Sequence, residues 1–212
     1  INKIGAINTP LYPNITRAEY KYIIKDSEAK LIFVENDEIY KKIEGLENEV
    51  QTLKFIFSFD KLSNVKNWEE LIELGLTTPQ FEKMNAIQNS ISDDDLFTLI
   101  YTSGTTGNPK GVMITHSNII SQISALKDTL DWGKNDRAIS FLPLSHVFER
   151  MVEYFYMFKG VSIYYGSIEN IGEDLKSIQP TLMPTVPRLL EKVYRYNHPI
   201  FSFAVFGKKF YP

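Results

Sequence analysis

Cysteine is absent from the 212 residues, which excludes disulfides, thiolate nucleophiles and cysteine-based zinc sites. Histidine is scarce: His116, His146 and His198 are too scattered for a ligand pair at helical spacing, so any metal would be held by oxygen. Long apolar runs are also missing. The most apolar stretch, YFYMFKGVSIYY at 154–165, is interrupted by Lys159 and Gly160 and falls short of the roughly 20 residues that span a bilayer. There is no excess of positive charge: with a net charge of −3 and dispersed lysines and arginines, the chain lacks the clustered footprint of a nucleic-acid binder, and small molecules are the expected partners. The opening INKIGAINTPLYP has no basic segment followed by an apolar core, so it does not read as a signal peptide; it reads as a chain entered partway through a domain.

What is present suffices for a globular core, with 43% hydrophobic and 23% charged residues. Short β-branched or aromatic runs, AKLIFVE (29–35), LKFIFSF (53–59), LFTLIYT (96–102), RAISFL (137–142) and VSIYY (161–165), alternate with segments of helical period. Ile119, Ile123, Leu126 and Leu130 predict a helix with one buried stripe ending near Trp132 and Gly133. A second helix is expected to open at Pro143. A third follows from Val186, Leu189, Leu190 and Val193, with Pro187 in its first turn. The polar NAIQNSISDDD (85–95) reads as a loop, its three aspartates as solvated surface. This alternation predicts an α/β fold with a mostly parallel sheet and flanking helices.

The chemistry concentrates in LIYTSGTTGNPKGVMITHSN (99–118). An apolar strand enters six residues, 102–107, that are all small, hydroxylated or glycine. Such a loop lets backbone N–H groups converge on an anion, while Thr102, Ser103, Thr105 and Thr106 add hydroxyls and Lys110 a point charge. It is not the common nucleotide loop G-x-x-x-x-G-K-[ST]: Asn108 and Pro109 separate Gly107 from Lys110, and Gly111 follows the lysine.

The segment YTSGTTGNPKGV (101–112) instead resembles, without a departure, the signature Tyr-Thr-Ser-Gly-Thr-Thr-Gly-x-Pro-Lys-Gly-Val of the adenylate-forming superfamily of acyl-CoA synthetases, luciferases and adenylation domains. The resemblance implies that Thr102, Ser103, Gly104, Thr105, Thr106, Gly107 and Lys110 hold the β- and γ-phosphates of ATP. FLPLSHVFER (141–150) is similar to a segment beside the acyl pocket of long-chain acyl-CoA synthetases, which implies a site role for His146; on residues alone, a structural histidine and a local ion-pair cluster around Glu149, Arg150 and Glu153 are the alternatives. On a helix from Pro143, His146, Glu149, Arg150 and Glu153 would share one face, and Val147, Met151, Tyr154, Phe155 and Phe158 would lie mainly on the other, toward the core. QPTLMPTVPRLLEKVY (179–194) resembles the family's Val-Pro-Arg segment near the acyl tunnel. YGSIE (165–169) only superficially resembles the family's magnesium motif, since Ile168 replaces the threonine and the order along the chain is wrong.

The resemblance covers residues 1–195, part of a large N-terminal AMP-binding domain, with 196–212 an unassigned tail and the small C-terminal domain absent. It implies ATP-dependent conversion of a long-chain fatty acid, through an acyl-adenylate, to acyl-CoA. ATP, Mg2+ and coenzyme A are the implied cofactors and co-substrates, with Lys110 and His146 as catalytic residues and no metal ligand in this stretch. A cytoplasmic place is expected, with peripheral contact at the inner membrane surface left open. An adenylation enzyme for another carboxylate, and a nucleotide- or acyl-binding module without turnover, are the alternatives.

Overall fold

The computed structural model describes residues 1–102 and 107–187. The chain divides into two compact units, Ile1–Asn118 and a second that begins at Ile119.

The first unit opens with a short 3-10 turn, Asn2–Ile4, followed by helix α1, Arg17–Asp26. A capping box starts α1: the Thr16 side chain takes the Glu19 amide, and the Glu19 carboxylate takes the Thr16 amide at 2.8 Å. The buried Tyr20, Ile23 and Ile24, at helical spacing, face the core. Strand β1, Leu31–Val34, leads to α2, Asp37–Ile43, whose first turn is capped by the Asn36 side chain at 3.1 Å. After α3, Leu46–Glu49, strand β2, Phe55–Ser58, pairs parallel with β1, and the two-residue β3, Lys66–Asn67, pairs parallel with β2. Tyr20, Ile24, Val34, Ile43, Leu46, Val50 and Leu53 form the core between these helices and one sheet face.

Helices α4, Glu69–Thr77, and α5, Phe81–Ser90, bury no residue. The loop expected over 85–95 is therefore confined to its last residues, because 85–90 continue α5; polar sequence excluded burial there, not helix. Strand β4, Leu96–Thr102, then pairs antiparallel with β5, Lys110–Thr115.

Helix α6, His116–Leu126, carries the predicted stripe but stops earlier than expected, at Leu126, and none of its residues is buried. Residues 127–130 are turn instead of helix, with Leu130 and Thr129 bonded back to the Leu126 carbonyl. Beyond it, β6, Arg137–Ser140, helix α7, Val147–Lys159, and β7, Ser162–Tyr165, form a βαβ unit whose strands pair in parallel. Helix α8, Ile171–Ile178, follows. Alternation along β6 sorts its neighbours: Ala138 packs with Tyr156 and Val152 of α7, Ile139 with Leu175 and Ile171 of α8. Of the helix predicted from Val186, only its start falls within the described residues, with Pro187 helical.

The parallel sheets and their helices make this an α/β fold of mostly parallel pairing, as expected, with one antiparallel hairpin. Among the described residues, no helix is long and apolar enough to cross a membrane.

Candidate functional site

The glycine- and hydroxyl-rich segment joins β4 to β5. In this hairpin Thr102 lies directly opposite Lys110, and Tyr101 opposite Gly111, so the register ends where the loop begins. Antiparallel neighbours can be joined by two residues; here seven intervene, more than closing the hairpin requires. Residues 103–106, which include Ser103, Gly104, Thr105 and Thr106, lie outside the described residues. Thr102 and Lys110 are exposed at the loop's base. Gly107 has φ 95°, a conformation in which a side chain is strained, and open space surrounds the position its Cβ would take. Glycine is therefore needed at 107 for backbone conformation alone. A cavity of about 330 Å³ lined by Gly5, Ile7, Ile91, Asp95, Leu96 and His116 sits by the opposite end of β4, roughly 20 Å of strand from Thr102.

In the second unit, His146 is the N-cap of α7. Its Nδ1 accepts the Phe148 amide at 3.2 Å, leaving Nε2 as the donor. The helix therefore begins at Val147 and not at Pro143. Residues 143–145 form the preceding turn, closed by the His146 amide on the Pro143 carbonyl at 2.9 Å. The expected faces hold only in part: Phe155 is buried as expected, but Glu149 (1% exposed) and Glu153 (7%) also point inward, while Val147 and Phe158, expected toward the core, are exposed. Ser140, inward-facing on β6, supplies the reason by donating to Glu149 Oε1 at 2.6 Å. Glu149 is thus held by the Ser140 hydroxyl and the backbone of Leu142 and Phe141, and among the described residues it forms no ion pair of the kind weighed for it. Glu149 Oε2 and Glu153 Oε1 are buried without a hydrogen-bond partner.

Burial raises the Glu149 carboxyl above the ordinary carboxylate range, and the nearby Glu153 charge adds to this against the Ser140 bond. Tyr165 is pushed up to about 12 by desolvation and by its hydrogen bond to Glu153. Tyr165 closes β7 and Gly166 turns the chain, as the sequence suggested; a Cβ at Gly166 would stand 2.6 Å from Asp174 Oδ2. Sequence reasoning missed Ser140, whose signal was a lone hydroxyl in the apolar RAISFL run, and Asp26, which accepts the Tyr101 hydroxyl at 2.6 Å.

The family described as AMP-binding enzyme matches residues 1–208. The human long-chain-fatty-acid–CoA ligase 1 is 37% identical over 204 residues, 87% of this chain and 28% of that protein. The chloroplastic long-chain-fatty-acid–[acyl-carrier-protein] ligase AEE15 of Arabidopsis thaliana is 32% identical over 223 residues, 97% of this chain and 30% of that protein. The chain spans about a third or less of the length of the curated relatives it matches. Among solved structures, a luciferase-like enzyme from the nonluminescent Zophobas morio mealworm superposes with TM-score 0.71 at 18% identity, covering 93% of this chain and 44% of that one. At that identity the likeness speaks for the fold.

Proposed function

The chain belongs to the AMP-binding enzyme family, and we propose that it is the nucleotide-phosphate-binding part of a long-chain fatty acid–CoA ligase, inactive without the remainder of the enzyme. The observation that carries this reading is the Thr102–Lys110 pair at the mouth of a loop that begins and ends in small residues. Residues bearing a hydroxyl and an ammonium are there paired across the hairpin, both of them exposed, which supports a role in holding polyphosphate.

The proposed reaction has two steps. A fatty carboxylate attacks the α-phosphorus of ATP and expels pyrophosphate, giving the acyl-adenylate; the thiol of coenzyme A then attacks the acyl carbon and AMP leaves. The first step needs no general base, since a carboxylic acid with a pKa of about 4 to 5 is already ionised at neutral pH. Its demand is for positioning and for stabilising charge on the departing pyrophosphate. Lys110 and the hydroxyl and amide groups of residues 102–107 meet that demand. His146 is assigned to the junction of acyl chain and reacting carboxylate, with Nε2–H as its donor. Among the described residues no three His, Asp or Glu side chains converge as a metal site. The magnesium that the resemblance implies would add to this charge stabilisation, beside the chain's own donors.

The similarity to both a CoA ligase and an acyl-carrier-protein ligase supports a second reading of the acceptor, in which a carrier thiol replaces coenzyme A. Exchange of labelled pyrophosphate into ATP by the full-length protein, with acetate, octanoate, palmitate and an amino acid, tests the acid; product formation with each thiol tests the acceptor. Palmitate-dependent exchange is expected. Exchange with the amino acid alone would replace the fatty-acid reading, and nucleotide binding without any exchange would favour a binding module.

A further inference from the structure

The first residue of the signature, Tyr101, points away from the loop it introduces. It is 8% exposed, and its hydroxyl donates to Asp26 Oδ2 at 2.6 Å, a contact between residues 75 positions apart. Across the hairpin its ring lies over Gly111: a Cβ on that glycine would come within 3.0 Å of Tyr101 Cζ. Gly111 has no positive φ, so backbone conformation does not demand glycine there. The missing side chain leaves the slot that the ring fills. Asp26, in turn, is the last residue of α1. A negative charge there opposes the helix dipole, so local helix energetics do not favour an aspartate at this position. Its bond to Tyr101 gives it a purpose. Burial and the Asp26 carboxylate both push the Tyr101 hydroxyl above its ordinary range, so it stays protonated and remains a donor.

The next rung of the ladder is Thr102 opposite Lys110. We propose that Tyr101, seated against Gly111 and tied to Asp26, is a positioning residue that fixes the Thr102–Lys110 pair for the phosphates of ATP. This inference rests on the nucleotide-phosphate reading of the loop. It explains why the signature carries a tyrosine before the loop and a glycine after the lysine, although neither side chain is needed to touch phosphate. Anchoring the last rungs of a hairpin to a capped, core-packed helix limits the twisting and fraying that would let Lys110 drift, and small misplacements of a charge-stabilising group are costly to rate.

The test is steady-state pyrophosphate exchange in the full-length protein, varying ATP and fatty acid separately, with thermal unfolding alongside. Tyr101→Phe and Asp26→Ala are each expected to raise KM for ATP about tenfold, the size of one charge-assisted hydrogen bond, while KM for the fatty acid stays unchanged. Gly111→Ala should do the same by displacing the ring. Asp26→Asn keeps an acceptor and should fall between wild type and Asp26→Ala. The double variant Tyr101→Phe/Asp26→Ala should be no worse than either single, because both break one contact. Equal rises in KM for both substrates, tracking lost thermal stability, would overturn the positioning role in favour of a merely structural one. Impaired Lys110→Ala beside unaltered Tyr101→Phe overturns this proposal alone; unaltered ATP kinetics in Lys110→Ala overturns the phosphate reading and this proposal with it.

Discussion

Replacing Glu149 by glutamine changes one buried atom and tests how α7 is held. In the native arrangement Glu149 Oε1 accepts from the buried Ser140, while its Oε2 and the Oε1 of Glu153, one helical turn on, have no hydrogen-bond partner. Glutamine keeps an acceptor for Ser140 and removes the negative charge that burial and the neighbouring Glu153 disfavour. The substitution is therefore expected to be stabilising at neutral pH and to change stability little below the unfolded value of 4.5. Alanine removes the acceptor, strands the Ser140 hydroxyl and leaves a cavity, and should cost about 2–4 kcal/mol. The sign of the pH dependence follows from the raised carboxyl. The folded state holds the proton more tightly than the unfolded one, so the contribution is fully present below the unfolded value of 4.5 and is lost as pH rises through the higher folded value. The loss has a limiting slope of about 1.4 kcal/mol per pH unit. Urea unfolding of wild type, Glu149→Gln and Glu149→Ala across pH 4 to 8 measures all three quantities, and Glu149→Gln should remove the slope. A glutamine variant as unstable as the alanine one, or an unchanged slope, would refute the reasoning.

Other substitutions probe single features. Gln179 ends α8 with φ 48°, a left-handed cap, and Gln179→Gly should stabilise by roughly 1 kcal/mol in thermal unfolding. Gly166→Ala places a methyl 2.6 Å from Asp174 Oδ2 and should destabilise by about 1–3 kcal/mol, read as a lowered urea midpoint. Thr16→Ala removes the capping box and should cost about 1 kcal/mol, with hydrogen exchange accelerated first in α1. Gly107→Ala forces a side chain into φ 95°; it should raise KM for ATP in the exchange assay and leave KM for the fatty acid alone.

Strands were legible because half-buried ladders select β-branched and aromatic residues: all five runs singled out contain strands, displaced by at most two residues at either end. A connection after β4 was legible because its run of glycine and small hydroxylated residues breaks off the apolar strand pattern; residues 103–106 lie outside the described residues. Helix α5 was not, since none of its residues is fully buried and its half-buried Met84 and Ile87 sit in a sequence otherwise dominated by polar residues. The inward-facing Glu149 and Glu153 of α7 were hidden for a related reason. Charged residues ordinarily mark the solvent side, and the groups that make burial of Glu149 tolerable, the Ser140 hydroxyl and the backbone of Phe141 and Leu142, lie outside the helix. Asp26 was out of reach because no local pattern connects it with Tyr101. For α6, periodicity announced a helix but could not say what would cover its stripe.

The proposed role of the loop between β4 and β5 in holding the phosphates of ATP turns on Lys110. Palmitate-dependent pyrophosphate exchange should be measured for the full-length protein and its Lys110→Ala variant, at limiting and saturating ATP. The variant is expected to lose exchange at limiting ATP with its KM for palmitate unchanged; identical exchange by the two proteins at both ATP concentrations would rule out a phosphate-holding role for Lys110.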